Sequence, residues 1–572
     1  MVELQVVGGP GIKPKPPHPA ELVRDMGSKD LAGLNILFIN MPLRESAKPN
    51  TPPQGPGLLA ARTRQFGASV SIIDLNAYRI KDKVAGDKPN GRHLTQLEAR
   101  QLLVDHMSKH GEPNIIALSG MITTLRWQEW TVSTCRKLVP DTFILSGGGL
   151  ATEIKEGLFS WMPELDAVAH SEGDDILMVI AHEVWQSLNF GRDLADSPHC
   201  IGKISGRQRF LYSGDRPLDL DVLPFAAWDL LEKDVYGNPV LEWYIETPVW
   251  GMAANNSSAA PFSMKRSLTT VSSRGCPYEC AFCYRGAQGE RNWGMRSPEN
   301  LVAEAQWLID KYQIDFLGFP DDNFGVAKPR IRALPEAFKS LGGLRWGTHT
   351  RLDEAADERV DWMAEAGCIY IGFGAESASA NMLERMKKGG FILRPRGAES
   401  NVLTRINGFD FPWTMVEGIK NCRRVGIHAN CTWIMAYPGE TLEDLKTSVA
   451  FILWQEELMT RGLTPGSTEY ALAQSAVNKK MFVATAYPGT AMFNDPACRK
   501  TLTESFGITF GHDGEPVTNE ALRSYVLELD DATKVMHNAD GMALNFGAMP
   551  TEQFLLARDH VDSGQIERIL NM

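Results

Sequence analysis

From residue 34 onward, short apolar runs alternate with segments whose apolar residues recur at helical spacing. The runs are LNILFIN (34–40), SVSIIDLN (69–76), NIIALSG (114–120), TFILSGG (142–148) and DAVAHSEG (166–173). Between them lie GPGLLAARTRQFG, LTQLEARQLLVDHMSKHG and TLRWQEWTVSTCRKL, each patterned like a half-buried helix. Strands that alternate with helices pair in parallel, so residues 34–190 are expected to form a doubly wound, Rossmann-like α/β sheet. Residues 1–33, rich in Pro and Gly, are expected to be an irregular leader. Residues 191–265, with LDVLPFAAWDLL, read as a connecting region.

A second alternating series follows, with runs at 267–275, 315–322, 344–352, 368–377, 428–440 and 480–490. PENLVAEAQWLIDKYQ and ERVDWMAEAG are among the helices between them. Six such units predict a partial (β/α)6 barrel over residues 266–490, with its chemistry at the C-terminal strand ends. Residues 491–572 read as mainly helical. AYPG occurs at 436–439 and again at 486–489, each time closing an apolar run with a sharp corner.

A chain of 572 residues is too long for one ordinary core and favours two or three domains. Its net charge of -12 argues against general nucleic-acid binding, which needs a basic surface. No basic start followed by an apolar block marks a secretory signal, and no run approaches the roughly 18 apolar residues of a membrane span. A cytoplasmic location is expected. Of nine cysteines, six are scattered and three fall together, at Cys276, Cys280 and Cys283.

Those three lie in RGCPYECAFCYRG, 274–286, directly after the first expected barrel strand. A short loop can give three thiolates to three irons of a 4Fe–4S cubane, leaving the fourth iron open to a small chelating molecule. Structural zinc wants four ligands, and no fourth Cys or His is near. The loop, with Phe282 before its last Cys, resembles that of the radical S-adenosylmethionine (SAM) superfamily, as do PDDNF, THTR, GFGAES and PGET at later strand ends. The resemblance implies a cluster on Cys276, Cys280 and Cys283 as the catalytic centre. It also implies SAM contacts at Glu376 and Arg351, with Asp321 and Asp322 beside the cluster; helix caps or solvated loop charges would account for the same residues.

The front half lacks G-x-G-x-x-G after its first strand, which disfavours a dinucleotide. INMP, a Pro-Pro loop, IIDLN, LSGMITT, SGGGLA and SEGD instead resemble, in order, the cobalamin-binding domain of cobalamin-dependent radical SAM enzymes. That resemblance places cobalamin contacts at Ser119, Thr123, Ser146, Gly147, Gly148, Gly149, Glu172 and Gly173. The D-x-H-x-x-G of proteins that give cobalt a histidine is missing, so a histidine lower ligand is not expected.

The insert 387–414 carries Lys387, Lys388, Arg394, Arg396 and Arg405, which suit an anionic substrate, a peptide partner or a solvated loop. Cys431 reads as core, and Tyr437 and Tyr487 as core or cofactor mouth. The resemblance implies a C-methyltransferase. It would abstract hydrogen with a 5′-deoxyadenosyl radical and transfer methyl from methylcobalamin to an unactivated carbon of a small molecule or peptide. The alternative is an oxidative cyclase or ring-rearranging enzyme resembling Mg-protoporphyrin ester cyclase. Either takes electrons from an external flavodoxin- or ferredoxin-type donor. A methylthiotransferase would need a second cysteine cluster in front, where only Cys135 lies, with Cys200 just beyond. A non-catalytic sensor would not need the open-iron loop.

Overall fold

The computed structural model describes residues 18–42, 51–81, 94–246, 264–283, 293–529, 536–538, 541 and 543–572. Parts of the expected leader (1–17) and connection (247–263), and the end of the cysteine phrase (284–286), lie outside the described residues. Two compact units account for the chain, one mainly Met1–Tyr244 and the other mainly Ile245–Glu515 with Thr533–Met572.

The first unit is built on seven strands: β1 (Asn35–Asn40), β2 (Ser69–Asp74), β3 (Ile115–Ser119), β4 (Phe143–Gly147), β5 (Ala167–Ser171), β6 (Cys200–Ile204) and β7 (Arg207–Gly214). Their order is β2-β1-β3-β4-β5-β7-β6, parallel except between β6 and β7. Helices Gln54–Gln65, Gln96–His110, Leu125–Leu138 and Ile176–Phe190 fill the crossovers. The expected doubly wound sheet is therefore present. The segment expected only to connect also supplies the β6–β7 hairpin, which joins the sheet through β7 along β5. From the C-terminal part, helix Glu520–Glu528 belongs to this unit and is tied to it by Arg523 on Glu129 at 2.7 and 2.9 Å.

The second unit opens with β8 (Ser267–Thr269) and the small antiparallel pair β9 (Ser273–Arg274) and β10 (Gly294–Met295). Then come β11 (Phe316–Phe319), β12 (Arg345–Thr350), β13 (Cys368–Glu376), hairpin β14 (Leu403–Ile406) and β15 (Phe409–Pro412), β16 (His428–Met435) and β17 (Phe482–Val483). Six of them form a parallel sheet ordered β17-β16-β13-β12-β11-β8, the partial barrel expected from the pattern. Pro298–Tyr312, Arg359–Glu365, Trp413–Val425 and Leu442–Thr460 are among its outer helices. No helix among the described residues is long and apolar enough to cross a membrane.

Register sets which side chains share a layer inside the barrel. Gly347 aligns with Tyr370 and His428, and His349 with Gly372 and Asn430; Gly374 aligns with Thr432. Gly372 has no room for a side chain, since a Cβ there would lie 2.4 Å from His349 Cδ2. Gly374 is confined in the same way: its Cβ would stand 2.5 Å from Glu376 Oε1 and 2.9 Å from Lys388 Nζ.

Candidate active site

The cysteine loop is fixed at its base by a buried carboxylate. Asp321, just after β11, accepts hydrogen bonds from the Ser272 backbone (2.8 Å) and from the Ser272 and Ser273 hydroxyls (2.5 and 2.6 Å). Arg330 donates to the Ser272 carbonyl and hydroxyl at 3.1 and 2.6 Å. Burial raises the Asp321 pKa, with Arg330 and the serines pulling the other way. Asp321 thus anchors the strand end, and its neighbour Asp322 is the exposed acid whose charge reaches Cys276 and Cys283.

Further along, the Ala281 backbone is held from both sides, donating to Met386 O (2.9 Å) and accepting from Met492 N (2.8 Å). Tyr278 donates to Glu354 at 3.2 Å. Cys276 and Cys280 are half-buried and Cys283 is exposed. Burial first, then Cys280 and Asp322, push the Cys276 thiol up, against a backbone bond from Tyr278. Cys283, though its residue surface is open, is also pushed up, first by the protein packed around its thiol and then by Cys280 and Asp322.

Two cations face the loop. The Arg351 guanidinium stacks on Tyr278 with Cζ 4.0 Å from the ring centroid, and its Nη1 lies 4.0 Å from Cys280 Sγ. Nε binds Asp353 at 2.9 Å and Nη2 donates to the Lys388 carbonyl at 3.2 Å. Burial works against the Arg351 charge, but Asp353 and Cys280 more than offset it, and its pKa is raised. Lys388 pairs with Glu376 at 3.1 Å and stands 5.6 Å from the Phe282 ring centroid. Burial opposes its charge too; Glu376 and Cys280 prevail. Glu376 ends β13 at φ +63°, a conformation few non-glycine residues adopt, next to a register shift in the ladder. That turn aims its carboxylate inward, where Thr432 donates at 3.5 Å.

No group of three His, Cys, Asp or Glu side chains among the described residues surrounds a single ion. A cubane is wider than an ion, and three thiolates each taking a different iron need not converge on one point. The Cys276 and Cys283 thiols, raised in pKa by burial and by Cys280, also need added positive charge to ionise, which iron supplies. The donor set fits the cluster.

At the sheet end of the first unit, Ser119, Thr123, Gly147, Gly149, Glu172 and Gly173 are partly exposed and Gly148 is exposed. Gly148 sits at φ +83° with its Cβ position 2.8 Å from Gly120 O, a close backbone approach that only glycine permits. The bare strip at the end of β4 suits a flat ligand. Ser146 is different: it is fully buried and donates to Gln128 at 2.7 Å, below the strip.

Among the insert residues, Lys388 lies in the site; Arg394 pairs with Glu384 and Arg405 with Asp410 outside it. Cys431 is fully buried. Tyr437 is buried with its ring edge-on to Phe282, centroids 6.4 Å apart, while Tyr487 is half-buried. No motif or spacing singles out Tyr278, His349, Asp353 or Glu354 before the fold is known. Gly389 and Gly390 after Lys388 were the available sign of a tight chain path there.

A domain spanning residues 270–452, with this loop and strands β11 to β16, matches the family described as the radical SAM superfamily. Such a domain carries a 4Fe–4S cluster and uses SAM. The chain is 25% identical over 389 residues to an uncharacterized methyltransferase of Pyrococcus horikoshii, covering 67% of this chain and 70% of the relative. It is 26% identical to cytidylyl-2-hydroxyethylphosphonate methyltransferase of Streptomyces wedmorensis, covering 70% of this chain and 72% of that one. Anaerobic magnesium-protoporphyrin IX monomethyl ester cyclase of Rubrivivax gelatinosus is 24% identical, over 54% of this chain and 52% of its own. In fold, the chain is similar to the radical SAM methyltransferase TsrM of Kitasatospora setae, solved with cobalamin and a 4Fe–4S cluster. The TM-score is 0.57 at 15% identity, covering 94% of this chain and 88% of TsrM.

Proposed function

We propose that the protein is a cobalamin-dependent radical SAM methyltransferase acting on an unactivated carbon of a small molecule or peptide. The observation that carries this reading is the cysteine loop walled by Arg351, Lys388 and Glu376, in a chain that also presents a bare glycine strip at a doubly wound sheet end. When bound, the cluster supplies the electron that cleaves SAM to a 5′-deoxyadenosyl radical, and cobalamin supplies the methyl group. Cys276, Cys280 and Cys283 hold the cluster. Arg351 and Lys388 offer cations to the SAM carboxylate, and Glu376 offers an acceptor to its amino or ribose groups. Asp322 adds an acceptor at the rim, and Asp321 acts only by fixing the loop. Gly147, Gly148, Gly149 and Gly173 let cobalamin lie on backbone, with Ser119, Thr123 and Glu172 around it; Ser146 orients Gln128 beneath. The electrons come from a flavodoxin- or ferredoxin-type donor in the reducing cytoplasm.

Anaerobic reconstitution with SAM, cobalamin and a reductant tests this. Methylation yields 5′-deoxyadenosine together with S-adenosylhomocysteine. Deoxyadenosine without S-adenosylhomocysteine would instead support an oxidative cyclase, the reading favoured by the similarity to the Rubrivivax gelatinosus cyclase. Loss of hydrogen or gain of oxygen in the product, rather than gain of CH2, would settle that choice.

A further inference from the structure

The segment that walls the cysteine loop also carries an unusual outer surface. Phe391, Leu403 and Trp413 are 56%, 41% and 37% exposed, three large apolar side chains within 23 residues of sequence. Hydrogen bonds bring them together. Val402 N donates to Leu393 O and Trp413 N to Val402 O, while Thr414 Oγ1 donates to Ile392 O. Each exposed side chain is therefore a chain neighbour of a bonded pair. The β14–β15 hairpin, turning at Asn407 and Gly408 with φ of +51° and +88°, extends this surface.

Its charge runs against that of the protein. Between Glu384 and Trp413, leaving aside Lys388 on the inner side, Lys and Arg outnumber Asp and Glu five to three, in a chain of net charge -12. Arg394 and Arg405 are matched by Glu384 and Asp410. Lys387 and Arg396 are exposed and form no ion pair among the described residues. Exposed apolar side chains beside a basic excess mark an interaction surface rather than a solvated face. On its inner side the same segment holds the cluster loop, through Met386 O on Ala281 N and Lys388 over Phe282.

We propose that this surface docks an acidic one-electron carrier protein, which is oxidised by one electron as the cluster is reduced by one. The proposal rests on the radical SAM reading above. Its cations attract the carrier, its apolar residues seat it, and the segment between Phe391 and Lys388 leads straight to the cysteine loop.

The test compares the holoenzyme with Phe391→Ser/Arg396→Glu, using an acidic ferredoxin or dithionite as reductant and 5′-deoxyadenosine as product, with no methyl acceptor added. Titration calorimetry with oxidised ferredoxin reads docking without turnover. The variant is expected to bind ferredoxin roughly five- to tenfold more weakly, and its KM for the reduced form should rise in step. Dithionite-driven cleavage and the KM for SAM stay unchanged, and the salt dependence of binding flattens. A control, Lys500→Glu on an exposed side chain outside this segment, leaves ferredoxin binding as it was. Unchanged ferredoxin binding in the double variant overturns the proposal, as does an equal fall in the dithionite-driven rate, which would assign the surface to the cluster or SAM. No deoxyadenosine from the parent protein with dithionite sinks the radical reading itself, and this proposal with it.

Discussion

Lys388 meets Glu376 at 3.1 Å with both side chains almost out of water, 6% and 12% exposed. A buried pair contributes little net stability while intact, yet removing one partner strands the other charge. Lys388→Met is therefore expected to destabilise the fold by about 3 kcal/mol, read as a fall in thermal midpoint, and to abolish deoxyadenosine formation. A variant as stable as the parent would mean Glu376 has another compensating partner. Glu440 shows the converse situation. It is fully buried after the Ala436–Gly439 corner, its Oε2 accepts from Ala436 N at 2.5 Å, and its Oε1 has no hydrogen-bond partner among the described residues. Burial raises its pKa to about 8, so the folded state keeps a proton that the unfolded chain gives up near the ordinary carboxylate value. Stability from this group is thus present at low pH and declines as pH rises from the ordinary carboxylate range through about 8. Glu440→Gln should flatten that decline, and urea midpoints measured at about pH 6 and about pH 9 will show it. Equal slopes in parent and variant would place the pH dependence elsewhere.

At the scale of elements, β13 decides the site. Its Gly372 and Gly374 face the lumen beside His349 and the Glu376–Lys388 pair, and neither has space for a methyl group. Gly374→Ala should force Glu376 and Lys388 apart, costing about 1–3 kcal/mol through overpacking. It should weaken SAM binding while iron content stays at the parent level; parent-like SAM affinity would remove Glu376 from the proposed SAM contacts. The alternating apolar runs made such strands legible, because Ile36–Ile39 or Phe316–Phe319 are buried throughout and bounded by polar or Gly/Pro positions. The edge strand β6 was not legible: CIGKI alternates more and less exposed residues around Gly and Lys, a pattern that a loop shares. Asp321 and Asp322 stand side by side in the sequence, yet the turn after β11 sends one into the serine anchor and the other toward the thiols. Lys388 was hidden for a related reason. It belongs by sequence to a basic insert, and only the turn at Lys387, with φ +51°, carries it back under the cysteine loop. The cysteine spacing needed no such geometry, since three thiols within one loop are close whatever surrounds them.

At the scale of the whole molecule, the proposed function gives one set of strand ends to the cluster with SAM and another to cobalamin, and predicts that their occupancies are separable. Gly147 at the end of β4 allows a clean test. Its Cβ position has no neighbour nearer than 3.8 Å, and its backbone is not in the left-handed region. A side chain there is tolerated by the fold but covers the strip on which a flat macrocycle would lie. Gly147→Leu is expected to keep the parent thermal midpoint to within about 1 kcal/mol, along with its iron content and its SAM cleavage to deoxyadenosine under dithionite. Cobalamin retained through gel filtration should fall at least about tenfold, the equivalent of 1.4 kcal/mol in binding. S-adenosylhomocysteine should fall with it. Full cobalamin retention in the leucine variant would move the cofactor off the β4 end and leave Gly148 and Gly149 as packing residues. Loss of iron together with cobalamin would instead show that the two sites are occupied as one.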